Sequence, residues 1–111
     1  MSARQVDATI KQIVRRLAEE YCPERIILFG SHARGDAGPD SDIDLLIVKE
    51  TPERFIDRWA TVQRILSDPK RSVPLETLVM TPQEVAYRLA IGDQFVSDIV
   101  TKGKVLYAAQ Q

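Results

Sequence analysis

Gly30-Ser31 closes an apolar run, and after ten intervening residues Asp42 and Asp44 stand one residue apart, all within FGSHARGDAGPDSDIDLLIV, residues 29 to 48. In an extended strand residues two apart share a face, so Asp42 and Asp44 present their carboxylates together while Ile43 and Leu45 point away. Two neighbouring carboxylates repel unless a cation sits with them. Magnesium suits such a pair, because it takes hard oxygen ligands in octahedral geometry, usually one or two carboxylates plus substrate phosphate oxygens. Gly-Ser at a strand end, where the chain turns into SHAR, offers free amides, a hydroxyl and a backbone that a phosphate can approach closely. Arg34, one turn further on, is placed to add a charge-assisted bond to the same phosphates.

A two-metal site commonly has a third carboxylate, and Glu76 stands among apolar neighbours in VPLETLVM, residues 73 to 80. It reads either as a metal ligand or as the group that orients and deprotonates an attacking hydroxyl. An edge strand would instead simply turn it to water. Gly-Ser after a strand is usually only a turn, and Asp-x-Asp alone is usually solvated. Their conjunction at one fixed spacing is expected in only about one in a thousand chains of this length at average residue frequencies.

The elements that must position these residues follow from periodicity. Val6, Ile10, Ile13, Val14 and Leu17 recur at helical steps, which predicts a helix over roughly residues 3 to 20, ended by Pro23. RIILF, residues 25 to 29, is short and bounded by Pro23 and Gly30, and reads as a buried strand. GDAGPDS, residues 35 to 41, is a loop, and DIDLLIV, residues 42 to 48, is a second strand. Thr51-Pro52 is expected to cap a helix whose buried stripe is Phe55, Trp59, Val62 and Leu66, with Trp59 in the core. Residues 73 to 80 form a third strand. Thr81-Pro82-Gln83-Glu84 is a capping box opening a helix through Val85 and Leu89. Gly92 interrupts, a last helix carries Phe95, Val96, Ile99 and Val100 as far as Gly103, and KVLY makes a short extended tail.

With 111 residues, 44% of them apolar and 28% charged, the chain reads as one globular domain over residues 1–111. No apolar run approaches the roughly 18 residues of a membrane-spanning helix, and the start has no signal-peptide core, so a cytoplasmic protein is expected. Cys22 is the only cysteine and is expected to be buried; with a single histidine besides, the usual Cys and His zinc sites are excluded. A net charge near −1 argues against holding nucleic acid by bulk phosphate neutralisation. Any anionic partner must be met by a local site.

Gly30-Ser31, ten residues, then Asp42-Ile43-Asp44 resembles the signature of the minimal nucleotidyltransferases of the DNA polymerase β superfamily. The likeness extends over nearly the whole chain, from the opening helix through ILFGSHARG, SDIDLLIV and the acidic third strand to FVSDIVTKGKVLY. It implies an α/β (α+β) fold, a small mixed sheet of three to four strands with helices packed on it. It implies catalytic, metal-binding Asp42, Asp44 and Glu76, a two-metal Mg²⁺ site, and ATP held by Gly30, Ser31 and Arg34. Two positions depart from the common pattern: His32 stands where arginine is frequent, and Glu76 where aspartate is common. Such proteins resemble antitoxins that transfer AMP to a tyrosine hydroxyl of a HEPN-domain ribonuclease toxin, which implies a hetero-oligomeric protein partner and neither direct nucleic-acid nor membrane binding. Two other readings are a binding-only antitoxin with a dispensable motif and a transferase acting on a small-molecule hydroxyl of the aminoglycoside kind. Template-directed polymerisation fits least, since there is no basic arm.

Overall fold

A computed structural model of the chain describes residues 2–110. Its first element, α1 (Ala3–Glu20), begins with a reciprocal cap: the Ser2 hydroxyl accepts from the Gln5 amide at 3.2 Å, and the Gln5 side chain accepts from the Ser2 amide at 2.8 Å. Ile10, Ile13 and Leu17 form its buried stripe. At its end the amides of Tyr21 and Cys22 both donate to the Leu17 carbonyl, and Cys22 takes a left-handed conformation with φ of 55° before Pro23. This corrects the expectation of a core cysteine. Cys22 is exposed, because the chain reverses at this residue and the flanking Tyr21 and Pro23 take the interior instead.

Four strands follow: β1 (Arg25–Phe29), β2 (Ile43–Val48), β3 (Leu75–Met80) and β4 (Lys104–Ala108), in the order β3-β2-β1-β4. A short helix, α2 (Ser31–Arg34), lies between β1 and β2, and these two strands pair antiparallel. β2 and β3 pair parallel, which requires a crossover, supplied by α3 (Phe55–Ile65). The KVLY segment is more than an extended tail: it is β4, an edge strand antiparallel to β1. The expected small mixed sheet is thus four-stranded, with five helices among the described residues, none long and apolar enough to cross a membrane.

The sheet is covered on both faces. Ile26 and Leu28 of β1 and Ile43, Leu45 and Ile47 of β2 pack with α1 and with Val62 and Leu66 of the α3 region. Ile27, Leu46, Val48 and Met80 point the other way and pack with Val85 of α4 (Pro82–Ala90) and Val96 and Ile99 of α5 (Gln94–Lys102). This double burial explains why DIDLLIV becomes wholly apolar after its acids. The Thr81–Glu84 capping box forms as expected, and Gly92, with φ of 78°, separates α4 from α5.

The reading of α3 needs correction. Thr51 and Pro52 lie before the helix, Arg54 occupies the cap position without a side-chain bond, and the Thr51 hydroxyl accepts from the Glu53 amide instead. Val62 and Leu66 are buried, but Phe55 and Trp59 are 59% and 48% exposed, and the inward place in the first turns belongs to Arg58. A stripe through residues 58, 62 and 66 replaces the one through 55, 59, 62 and 66. The guanidinium can be buried because it is partnered: Nε donates to the Glu53 carbonyl at 2.8 Å and Nη1 to Glu84 Oε1 at 2.6 Å. Glu84 also accepts from the Thr81 amide at 2.8 Å, so one carboxylate ties α3 to the start of α4.

The hydrogen bond from Arg58 holds the Glu84 carboxyl below its ordinary value, outweighing the opposing effect of burial. Since the folded-state value is the lower one, the stabilisation is complete above the ordinary 4.5 and is lost as the pH falls through the depressed value. Glu84 is 45% exposed, so solvent screening limits the contribution to about 1 kcal/mol. Glu84→Gln should therefore lower the denaturant midpoint at neutral pH, with the gap to wild type closing on acidification. A gap that stays constant into the acid range would show that the carboxylate charge is not its cause.

Candidate active site

β1 delivers the chain to Gly30, whose φ of 77° and ψ of −157° turn it directly into α2. The antiparallel register sets Phe29 opposite Asp44, which brings the two halves of the motif together. A Cβ built on Gly30 would stand 2.3 Å from Asp44 Oδ2 and 3.2 Å from its Cγ. The carboxylate therefore lies on bare backbone, and any side chain at residue 30 would displace it. Residues 35 to 41 span the gap between the halves, opening at Gly35 in the left-handed region with φ of 84°.

Asp44 is half-buried, Asp42 immediately precedes β2, and the parallel register sets Glu76 of β3 beside Asp44. Side-chain alternation sends Asp44 and Glu76 to the face on which Leu46, Val48 and Met80 pack against α4 and α5, at the uncovered end of those strands. Glu76 is exposed and β3 is an edge strand, so β-sheet register, more than burial, links Glu76 to Asp44. The Asp44 carboxyl is pushed up, first by burial and then by the charges of Asp42 and Glu76; His32 and Arg34 pull it down more weakly. Among the described residues no three His, Cys, Asp or Glu side chains converge into a preformed metal cage. The donor set nonetheless fits a hard cation: all its ligands are carboxylate oxygens, and Asp44 carries an unbalanced negative environment that a cation would relieve.

On the phosphate side, Ser31 is the first residue of α2 and is partly buried; the Ala33 and Arg34 amides donate to the Gly30 carbonyl at 3.1 Å, which leaves those of Ser31 and His32 as the leading amides without a partner in the helix. Arg34 is exposed, with Nε 3.2 Å from Asp36 Oδ2. His32 Nε2 donates to the Ser41 carbonyl at 3.2 Å, while the Ser41 hydroxyl accepts from the Gly38 amide at 2.8 Å, so His32 anchors the loop that leads into Asp42. Beside Gly30 a cavity of about 420 Å³ opens between α2 and α5, with Phe29, Arg34, Phe95 and Lys102 among its walls. Phe95, which the sequence places only on the last helix, is exposed; Lys102 carries no motif at all. Neither lies at a local spacing from Gly30-Ser31 that could have marked it.

Residues 9–106 match the family described as "Nucleotidyltransferase domain", and the chain belongs to that family. The protein is a nucleotidyltransferase. In sequence it is similar to three proteins of Methanocaldococcus jannaschii, among them "Putative protein adenylyltransferase MJ0604", 32% identical over 103 residues that make up 91% of this chain and 97% of that one. "Putative protein adenylyltransferase MJ0141" is 33% identical over 81 residues, 72% of this chain and 75% of that protein. In three dimensions the chain is similar to the crystal structure of a "putative nucleotidyltransferase from Sulfolobus solfataricus", with a TM-score of 0.64 and 25% identity over 91% of this chain and 78% of that one.

The Gly30 contact is open to a direct test. Gly30 combines φ of 77° with ψ of −157°, a region almost confined to glycine, whereas Gly35 is left-handed with ψ of 13°, so the collision is isolated by comparing Gly30→Ala in the wild-type and Asp44→Ala backgrounds. Gly30→Ala meets the carboxylate only in the wild-type background and should cost a further ~1–3 kcal/mol there, read by chemical denaturation. Equal losses would mean that the carboxylate yields freely.

Proposed function

We propose that the protein transfers AMP from ATP to a hydroxyl on a partner protein, and that this acceptor is a tyrosine of a HEPN-domain ribonuclease toxin, which makes the chain the antitoxin of a pair. The observation that carries the transferase reading is the Asp44 carboxylate lying on the Gly30 backbone with Glu76 in register beside it. The names of the relatives support a protein as acceptor. The toxin partner rests on the resemblance of the whole chain, and a cytoplasmic location goes with it.

In this reading Gly30 lets the triphosphate approach the chain, the Ser31 hydroxyl and the first amides of α2 hold its oxygens, and Arg34 meets its charge. Asp42, Asp44 and Glu76 would hold Mg²⁺, which supplies neutralisation of the charge that develops on the attacking and leaving oxygens. The acceptor oxygen forms a bond to the α-phosphorus. Its proton passes to a carboxylate, for which Glu76 is the exposed choice. The bond from the α-phosphorus to the bridging oxygen breaks in line, and pyrophosphate leaves with the electron pair. The His32 bond to Ser41 keeps the loop end, and with it Asp42, in place throughout.

Incubation with ATP, Mg²⁺ and the co-purified partner, followed by intact-mass measurement of both chains, should show AMP on the partner. Asp44→Asn should lower the rate by about a thousandfold, the scale expected when a principal electrostatic contributor to a transition state is removed. Modification of an added aminoglycoside alone would refute the protein acceptor. Full protection of cells by the Asp42→Asn/Asp44→Asn double variant would show that binding suffices for neutralisation.

A further inference from the structure

The cavity between α2 and α5 adjoins Gly30, yet its far wall belongs to a helix that the motif does not include. Arg34 lines it from α2, Asp98 and Lys102 line it from α5, and Phe29 and Ile99 are among its apolar lining. Phe95 meets Phe29 edge-on at 5.8 Å, which extends that lining. At about 420 Å³ the space falls within the range of small-ligand pockets.

The position of Lys102 is set by the sheet. A Cβ on Gly103 would stand 2.3 Å from the Ile99 carbonyl oxygen, 2.7 Å from Ile27 Cγ2 and 3.0 Å from the Leu28 carbonyl oxygen, so α5 ends in direct contact with β1. The following residue, Lys104, pairs with Leu28 in the β1–β4 register. Lys102 is thereby tethered to the strand end that carries Gly30.

Both cations rest on exposed carboxylates: Arg34 Nε lies 3.2 Å from Asp36, and Lys102 Nζ lies 3.5 Å from Asp98. Exposed pairs of this kind hold their partners only weakly, whereas a charge-assisted bond to a phosphate in a partly enclosed cleft is stronger. A polyphosphate entering the cleft would therefore draw both side chains from their resting partners.

We propose that the α2–α5 cleft is the subsite for the β- and γ-phosphates of the nucleotide, with Lys102 and Arg34 gripping them from opposite walls. The assignment rests on the nucleotidyl-transfer reading and adds to it a residue of α5, far from the motif in sequence. It also gives the pyrophosphate released in the reaction a cationic seat as it departs.

Calorimetric titration of wild type, Lys102→Ala and Lys102→Arg with ATP, AMP and inorganic pyrophosphate tests the assignment. Lys102→Ala should weaken ATP and pyrophosphate by about tenfold or more, the worth of one charge-assisted bond, and leave AMP within about twofold. Lys102→Arg should restore most of the loss, and Lys104→Ala, which removes the same charge nearby but outside this cavity, should change nothing. Since Lys102 is exposed, the thermal midpoint should stay put. Unchanged ATP affinity in Lys102→Ala, or an equal loss for AMP, would overturn the polyphosphate assignment while leaving nucleotidyl transfer intact. Failure of wild type to bind any of the three ligands would instead bring down the nucleotide reading itself.

Discussion

A carboxylate oxygen of Asp44 lies only 2.3 Å from where a Cβ on residue 30 would stand, and glycine is the residue that both permits this contact and adopts the required positive φ without strain. That contact couples the end of β1 to the start of β2. It brings a bare backbone, able to receive phosphate, against a carboxylate able to receive a cation. The remainder of the fold can be understood as the scaffold that keeps these two strand ends in register: β2 is buried on both faces, β4 pairs with β1 from the other side, and α3 carries the chain across so that Glu76 comes in parallel beside Asp44.

The arrangement has an electrostatic cost. Burial and two neighbouring acids oppose ionisation of Asp44, so the protein alone holds negative charge in a place that disfavours it. Stability is supplied elsewhere, by the two apolar layers and by the Arg58–Glu84–Thr81 network at the opposite end of β3. The separation is physically sensible in the proposed reading, because a site meant to accept a metal and a triphosphate cannot be saturated with its own cations. The nearby cations Arg34 and Lys102 rest on exposed, weak pairs, which is compatible with that condition.

Much of the fold was readable from local pattern. The boundaries of α1 and β1, the Thr81 capping box and the break at Gly92 all depend on residues within a few positions of one another. The errors share a cause. Trp59 looked like core because aromatic residues at helical spacing usually are, yet Arg58 took the inward place once Glu53 and Glu84 offered it partners, one of them 26 residues distant. Cys22 looked buried from its chemistry, but a left-handed turn carried it outward. KVLY was legible as extended, while its pairing with β1 depended on a strand more than seventy residues earlier.

At the site the same division holds. The spacing of Gly30-Ser31 and Asp42-x-Asp44 marks one turn and one strand face as the candidate site, since glycine's conformational range and the two-residue repeat of a strand are local properties. Nothing in that spacing can state that Glu76 pairs with Asp44, that the Asp44 carboxylate rests on Gly30, or that Lys102 shares a cleft with Arg34. Those facts arise from strand register and helix packing, which are fixed by the burial of two apolar faces at once, a condition no short stretch of the chain can express.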